Sequence, residues 1–119
     1  MNYSIIALPP FERELKRLSN KYPSLKGDYA IFINDLTKNP VQGTPLGKNC
    51  YKIRLAITSK QKGKSGGARI IICLKLNITK IFLMAIYDKS DKENISEKEL
   101  DRLLKISLFI LSAKIYQQP

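Results

Sequence analysis

Histidine and tryptophan are absent from the 119 residues, and cysteine occurs only twice. Without histidine, Ser-His and Cys-His catalytic pairs and every His-ligated metal site are excluded at once. Cys50 and Cys73 are isolated, with no CxxC spacing. They read as buried, reduced thiols in strand-like runs. Long apolar runs are missing too. The longest, residues 106–113, is eight residues interrupted by Ser107 and Ser112, whereas a membrane span needs ~20. The N-terminal residues lack the basic start and long apolar segment of a signal peptide, so a cytoplasmic protein with no membrane contact is expected. Acids are scarce as well, 10 against 21 Lys+Arg.

What is present fits a single domain over residues 1–119. A chain of ~100–200 residues usually builds one core, and 44% apolar with 26% charged residues is the balance of a folded domain. The net charge of +11 exceeds the ~2–8 that suits a small soluble domain and points to a polyanionic partner. The excess is local. Residues 1–49 hold 7 basic and 4 acidic side chains, and residues 81–119 hold 6 of each. Residues 50–80 hold Lys52, Arg54, Lys60, Lys62, Lys64, Arg69, Lys75 and Lys80 with no acid at all.

Residues 3–8 read as a strand, and Pro9-Pro10 suit the start of a helix. Phe11, Leu15, Leu18 and Tyr22 then recur at helical spacing until Pro23. Ser24 is placed to cap a second helix carrying Leu25, Tyr29, Ile33 and Leu36, which Asn39-Pro40 ends. Residues 40–49 are rich in Gly and Pro and read as a loop. Strands follow at 50–57, 68–76 and 79–88, with a basic loop over 58–67 and a tight connection at Asn77-Ile78. Ser96 and Glu99 form a capping box for a last helix through Leu100, Leu103, Leu104, Leu108 and Leu111. The expected order is β-α-α-β-β-β-α. This is an α+β domain: a small antiparallel sheet, an N-terminal helical hairpin and a C-terminal helix.

Strand alternation sorts the charges. Tyr51, Ile53, Leu55 and Ile57 share one face and Cys50, Lys52, Arg54 and Ala56 the other. Ile70, Ile72, Leu74 and Leu76 oppose Arg69, Ile71, Cys73 and Lys75. The strand over 79–88 is apolar on both parities and is expected to be buried on both sides. One sheet face therefore carries Lys52, Arg54, Arg69 and Lys75, with Tyr87 at a strand end. Lys outnumbers Arg 16 to 5, yet two of the five Arg fall on this face, where a planar fork grips phosphate better than a point charge. Lys60, Lys62 and Lys64 read as mobile loop charges that steer an anionic ligand. Tyr22, Tyr29 and Tyr51 read as core or boundary packing. Asp88, Asp91 and Glu93, interleaved with Lys89 and Lys92, read as a solvated turn rather than a metal set.

Such a face fits chemistry at a phosphodiester. Cations stabilise the extra charge of a pentacoordinate transition state, and RNA supplies its own nucleophile in the 2′-OH. A Lys or Tyr with a pKa lowered by neighbouring cations would take the proton, and another Lys would return one. The same surface equally suits binding without catalysis. No metal or cofactor is called for.

Several segments together resemble a known family. They are the helical hairpin from Phe11-Glu12-Arg13-Glu14 to Tyr22-Pro23, the loop from Asn39-Pro40 to Gly47, Cys50-Tyr51-Lys52-Ile53-Arg54, Lys64-Ser65-Gly66-Gly67-Ala68-Arg69-Ile70, and Ile86-Tyr87-Asp88-Lys89-Ser90. Over nearly the whole chain they are similar to RelE/ParE superfamily toxins, and most of all to the RelE- and HigB-like branch of type II toxin–antitoxin systems. The resemblance implies a compact α+β toxin that cuts messenger RNA in the ribosomal A site, without metal, by 2′-OH attack and a cyclic phosphate. It implies catalytic roles for Lys52, Arg54, Arg69 and Tyr87, with Lys89 beside them; from their charge alone, Lys60, Lys62 and Lys64 are expected to contact RNA, as is Lys75, which is equally a solvated edge residue. A later strand Arg of some members is missing, and the His and Glu acid–base pair of others is excluded. The implied partners are a cognate antitoxin and mRNA on the ribosome, with operator DNA engaged only through the antitoxin complex. A second apolar stripe on the last helix (Ile106, Phe109, Ile110, Ala113) is either core or a surface that an antitoxin covers. The alternatives are a ParE-like inhibitor of DNA gyrase and a non-catalytic RNA- or ribosome-binding module.

Overall fold

The structure is a computed structural model that describes residues 3–61 and 63–117. Eight regular elements follow one another: β1 (Ser4–Ala7), α1 (Pro9–Lys21), α2 (Leu25–Lys38), β2 (Thr44–Gly47), β3 (Cys50–Leu55), β4 (Ala68–Lys75), β5 (Lys80–Asp88) and α3 (Glu97–Gln117). Three short 3-10 turns connect them, at Thr58–Lys60, Lys64–Gly66 and Leu76–Ile78. The α+β class and the helical hairpin are as expected.

The sheet is richer than the pattern implied. Its strands lie in the order β1-β5-β4-β3-β2. β2 to β5 form an antiparallel meander, but β1 pairs parallel with β5, so the sheet is mixed. The expected loop over 40–49 contains the edge strand β2. Pro45 is tolerated there because an edge strand has one side without ladder partners. Lys48 and Asn49 close the β2–β3 hairpin with φ of 56° and 62°, the left-handed pair that matches strand twist. Ser24 stands at the start of α2 as expected but makes no side-chain cap. Its hydroxyl donates to the Asp28 carboxylate at 2.8 Å instead. Ser96 does cap α3, accepting from the Glu99 N–H at 3.0 Å.

Both sheet faces are covered. On one, α1 and α2 pack Phe11, Leu18, Leu25, Phe32 and Leu36 against Ile53, Ile70, Ile72, Leu74, Ile81 and Leu83. On the other, Leu100 and Leu103 of α3 close over Cys50, Ile71, Cys73, Phe82 and Met84. Ile106 and Ile110 pack against this second cluster, while Leu108 and Phe109 stay exposed. The open basic face expected from alternation is therefore mostly roofed by α3, and only one end of the β3–β4–β5 ribbon is left for charged groups.

Candidate active site

The register decides what meets at that open end. Arg54 of β3 stands directly opposite Arg69 of β4, and Arg69 directly opposite Tyr87 of β5. With strands ~4.8 Å apart, the three side chains form a row about 10 Å long. Lys52 follows two residues along the same face of β3, opposite Ile71. A β-bulge makes the row possible. The β4–β5 register shifts between Ile71 and Ile72, and an uninterrupted ladder from the Cys73–Phe82 pair would have set Ile86 beside Arg69. The extra residue re-aims the strand end: Tyr87 turns toward the α3 side and Asp88 toward α1.

Each member of the row is held differently. Arg54 is exposed. Lys52 donates from Nζ to the Asn94 side-chain oxygen at 2.7 Å. Arg69 is buried at 3% exposure. Its Nη1 donates to the carbonyls of Lys64 (3.0 Å) and Ala68 (3.2 Å), and its Nη2 to that of Ser65 (3.1 Å). This guanidinium therefore closes the Lys64–Gly66 turn and presents little surface to a ligand. Tyr87 is also buried, donating from its hydroxyl to the Glu93 carbonyl at 3.2 Å, with the Lys92 ammonium 4.9 Å from its ring centre. Burial raises its pKa; Arg69 opposes this and Glu99 adds to it. That is the reverse of the lowered phenol expected from neighbouring cations, so Tyr87 keeps its proton at neutral pH.

The lysines are distributed unevenly. The Lys89 backbone N–H donates to the Gly67 carbonyl at 3.1 Å, which ties the Tyr87-Asp88-Lys89 stretch to the Gly66-Gly67 turn. Its ammonium stands 3.9 Å from Glu93. Lys64 is exposed in that turn, lining with Arg54 and Thr58 a shallow depression against α2 that also holds the Asp28 and Asp35 carboxylates. Lys62 lies outside the described residues. Lys75 is six residues from Arg69 on β4, about 20 Å along the strand, beside Lys80 at the opposite end of the sheet. The structure does not bring it to the row.

Lys60 is not a mobile loop charge. Its side chain is 9% exposed and its ammonium is 2.8 Å from Asp88, above the Tyr22 ring at 5.3 Å. Asp88 itself is fully buried, which corrects its reading as part of a solvated turn; Asp91 and Glu93 are exposed as expected. The Asp88 carboxylate accepts from the Tyr22 hydroxyl, from Lys60, and from the N–H and hydroxyl of Ser90. Burial would raise its pKa, but these bonds outweigh it and hold the group well below the usual carboxylate range. Asp28 secures the same loop, accepting from the Thr58 N–H (2.9 Å) and hydroxyl (2.6 Å), and Ser24 pairs with Ser59. Asp28 and Asn94 escaped the sequence reading, which names Asp88 only as part of the turn. Among the described residues no three His, Cys, Asp or Glu side chains gather as a metal set.

With this geometry in view, the family model of the RelE toxin of the RelE/RelB toxin–antitoxin system matches residues 26–117. The chain belongs to the RelE toxin family. The matched span holds the whole row, Lys52, Arg54, Arg69 and Tyr87, together with Lys89. The fold is similar to that of the Escherichia coli toxin RelE, solved as a mutant in the free state. That likeness has a TM-score of 0.60, covers 88% of this chain and 97% of that one, and comes at 15% identity. A RelE-family toxin is one half of a toxin–antitoxin pair, so an antitoxin is a partner of this chain. Among the described residues no helix is long and apolar enough to cross a membrane.

Proposed function

We propose that this RelE-family toxin is an mRNA endoribonuclease acting on the ribosome in the cytoplasm. The row Arg54–Arg69–Tyr87, with Lys52 beside it, carries the reading: two fixed cations, a lysine and a protonated phenol share one end of one sheet face. In the reaction the substrate's own 2′-OH gives up its proton to solvent and attacks the adjacent phosphorus, the bond to the 5′-oxygen breaks, and a 2′,3′-cyclic phosphate forms. Arg54 and Lys52, the accessible cations, hold the non-bridging oxygens and stabilise the charge that grows on them. Lys64 and Lys89 flank the strand. Arg69 acts from below: it shapes the Lys64–Gly66 turn and adds a fixed positive charge beneath the phosphate. Tyr87, which keeps its proton at neutral pH, supplies the hydrogen that the departing 5′-oxygen needs when its hydroxyl turns from the Glu93 carbonyl to the substrate. Nothing in this sequence of bonds calls for a metal or an organic cofactor. An antitoxin would silence the toxin, and operator DNA would be reached only through their complex.

The test is 5′-end mapping of transcripts after induction, repeated in vitro with purified ribosomes present or withheld. New 5′-hydroxyl ends that need ribosomes are expected. Growth arrest with intact transcripts and poisoned supercoiling would overturn the reading in favour of gyrase. Tyr87→Phe is expected to lower cleavage by ~100- to 10,000-fold, the usual worth of a positioned acid, with a thermal midpoint close to that of the parent. Arg54→Ala is expected to lose cleavage while remaining folded; Arg69→Ala is expected to lose stability as well.

A further inference from the structure

Cys50 and Cys73 take no part in the proposed reaction, yet their placement is specific. They are direct partners across β3 and β4. The Leu74 N–H donates to the Asn49 carbonyl at 2.9 Å, a bond that flanks the cysteine pair from outside. In an antiparallel ladder this makes Cys50–Cys73 a non-hydrogen-bonded pair, with Cα atoms ~4.5 Å apart and side chains at their closest. Disulfides span Cα separations of ~4.4–6.8 Å. Both thiols also reach one acceptor, the Lys48 carbonyl, at 3.6 and 3.8 Å.

We propose that Cys50 and Cys73 form a dithiol–disulfide site that a small hydroperoxide closes within the folded chain. Both side chains are buried. A cavity of about 330 Å³ opens beside Lys48, lined also by Leu46, Ile95 and Leu100, and Leu46 and Leu100 pack on the cysteine cluster. The two thiols are unequal. The neighbouring Cys50 thiol, against the effect of burial and with help from Lys75, lowers Cys73, while the neighbouring Cys73 and burial push Cys50 up. Cys73, two residues from Lys75 on β4, is the attacking sulfur of this proposal. Its sulfur takes one peroxide oxygen, the O–O bond breaks, and the released hydroxide is protonated to water, leaving a sulfenic acid. The Cys50 sulfur then attacks that sulfur, the S–O bond breaks, and a second water leaves with the Cys50 proton. Two thiols are oxidised to one disulfide and one peroxide is reduced to two waters. The bridge closes residues 50–73, which carry Lys52, Arg54, Lys60, Lys62, Lys64 and Arg69.

The purified, folded full chain is treated with hydrogen peroxide at neutral pH, quenched, then denatured for thiol titration, intact mass and a non-reducing gel. Both thiols are expected to disappear, the mass to fall by two hydrogens, the chain to stay monomeric, and dithiothreitol to restore both groups. In Cys50→Ser the mass is expected to rise by oxygen instead, with a sulfenic acid at Cys73 that dimedone traps. Two thiols surviving in the folded chain, a bridge formed only between chains, or a bridge formed only in urea would each overturn the proposal.

Discussion

Asp88 carries a full charge at zero exposure, a placement that costs several kcal/mol unless protein groups replace the lost water. Tyr22, Lys60 and Ser90 do so with four donors. Its folded pKa is thereby depressed relative to the ~3.9 of an unfolded Asp. A depressed acid contributes stability that is complete above the unfolded pKa and is lost as pH falls toward the folded one. The urea midpoint is expected to drop steeply below about pH 5. Asp88→Asn is expected to start ~3–5 kcal/mol lower at pH 7, because it strands the Lys60 ammonium, and then to lose less on acidification. An acid slope equal to the parent's would refute the assignment. Nothing local marks this residue out. Asp88, Asp91 and Glu93 look equivalent in sequence, and only the return of Tyr22 and Lys60 from distant elements separates them. Lys52, Arg54 and Arg69, by contrast, were legible as one face, because strand period two needs no tertiary knowledge.

At the level of elements, alternation located β3, β4 and β5 but hid two features that shape the site. A bulge between Ile71 and Ile72 leaves no composition signal in a strand apolar on both parities. An edge strand containing Pro45 looks like a loop. The Gly66-Gly67 turn is a third such feature, legible as a turn but not as a contact. A Cβ on Gly67 would lie 2.1 Å from the Leu55 carbonyl oxygen and 3.0 Å from the Ala56 Cα, both backbone atoms that cannot swing aside. Gly67→Ala is therefore expected to push β4 from the end of β3, costing ~1–3 kcal/mol as overpacking does. It should also weaken the bond from the Lys89 N–H to the Gly67 carbonyl. Faster hydrogen exchange at the Lys89 amide, with a lowered thermal midpoint, is the check. Gly27→Ala, in α2 with nothing within 4 Å of the added carbon, is the contrast. It is expected to stabilise by up to ~1 kcal/mol, the gain of Ala over Gly in a helix.

For the molecule as a whole, a sheet roofed on both faces can offer a charged ligand only an edge or an end. Ion pairs sort the cations accordingly. Lys48, Lys60, Lys89 and Lys92 face Asp101, Asp88, Glu93 and Glu99, and Arg17 faces Glu14 and Asp91. Among the described residues none of these pairs engages Lys52, Arg54 or Lys64, so three of the eight cations of residues 50–80 stand without an ion pair at the Arg54–Arg69 end. Counterion release then gives a measurable signature: on single strands, affinity falls with salt at a log–log slope of ~0.7 per neutralised phosphate. Removing one phosphate contact, by Lys52→Ala or Arg54→Ala, is expected to flatten the slope by ~0.7. Lys75→Ala, about 20 Å away along β4, removes the same unit charge from the same protein and is expected to leave the slope unchanged. Titration of a labelled single-stranded RNA at several salt concentrations separates the two cases. Equal flattening in all three variants would mean that the anion spreads over the whole basic surface, and the row at the sheet end would lose its claim to be the site.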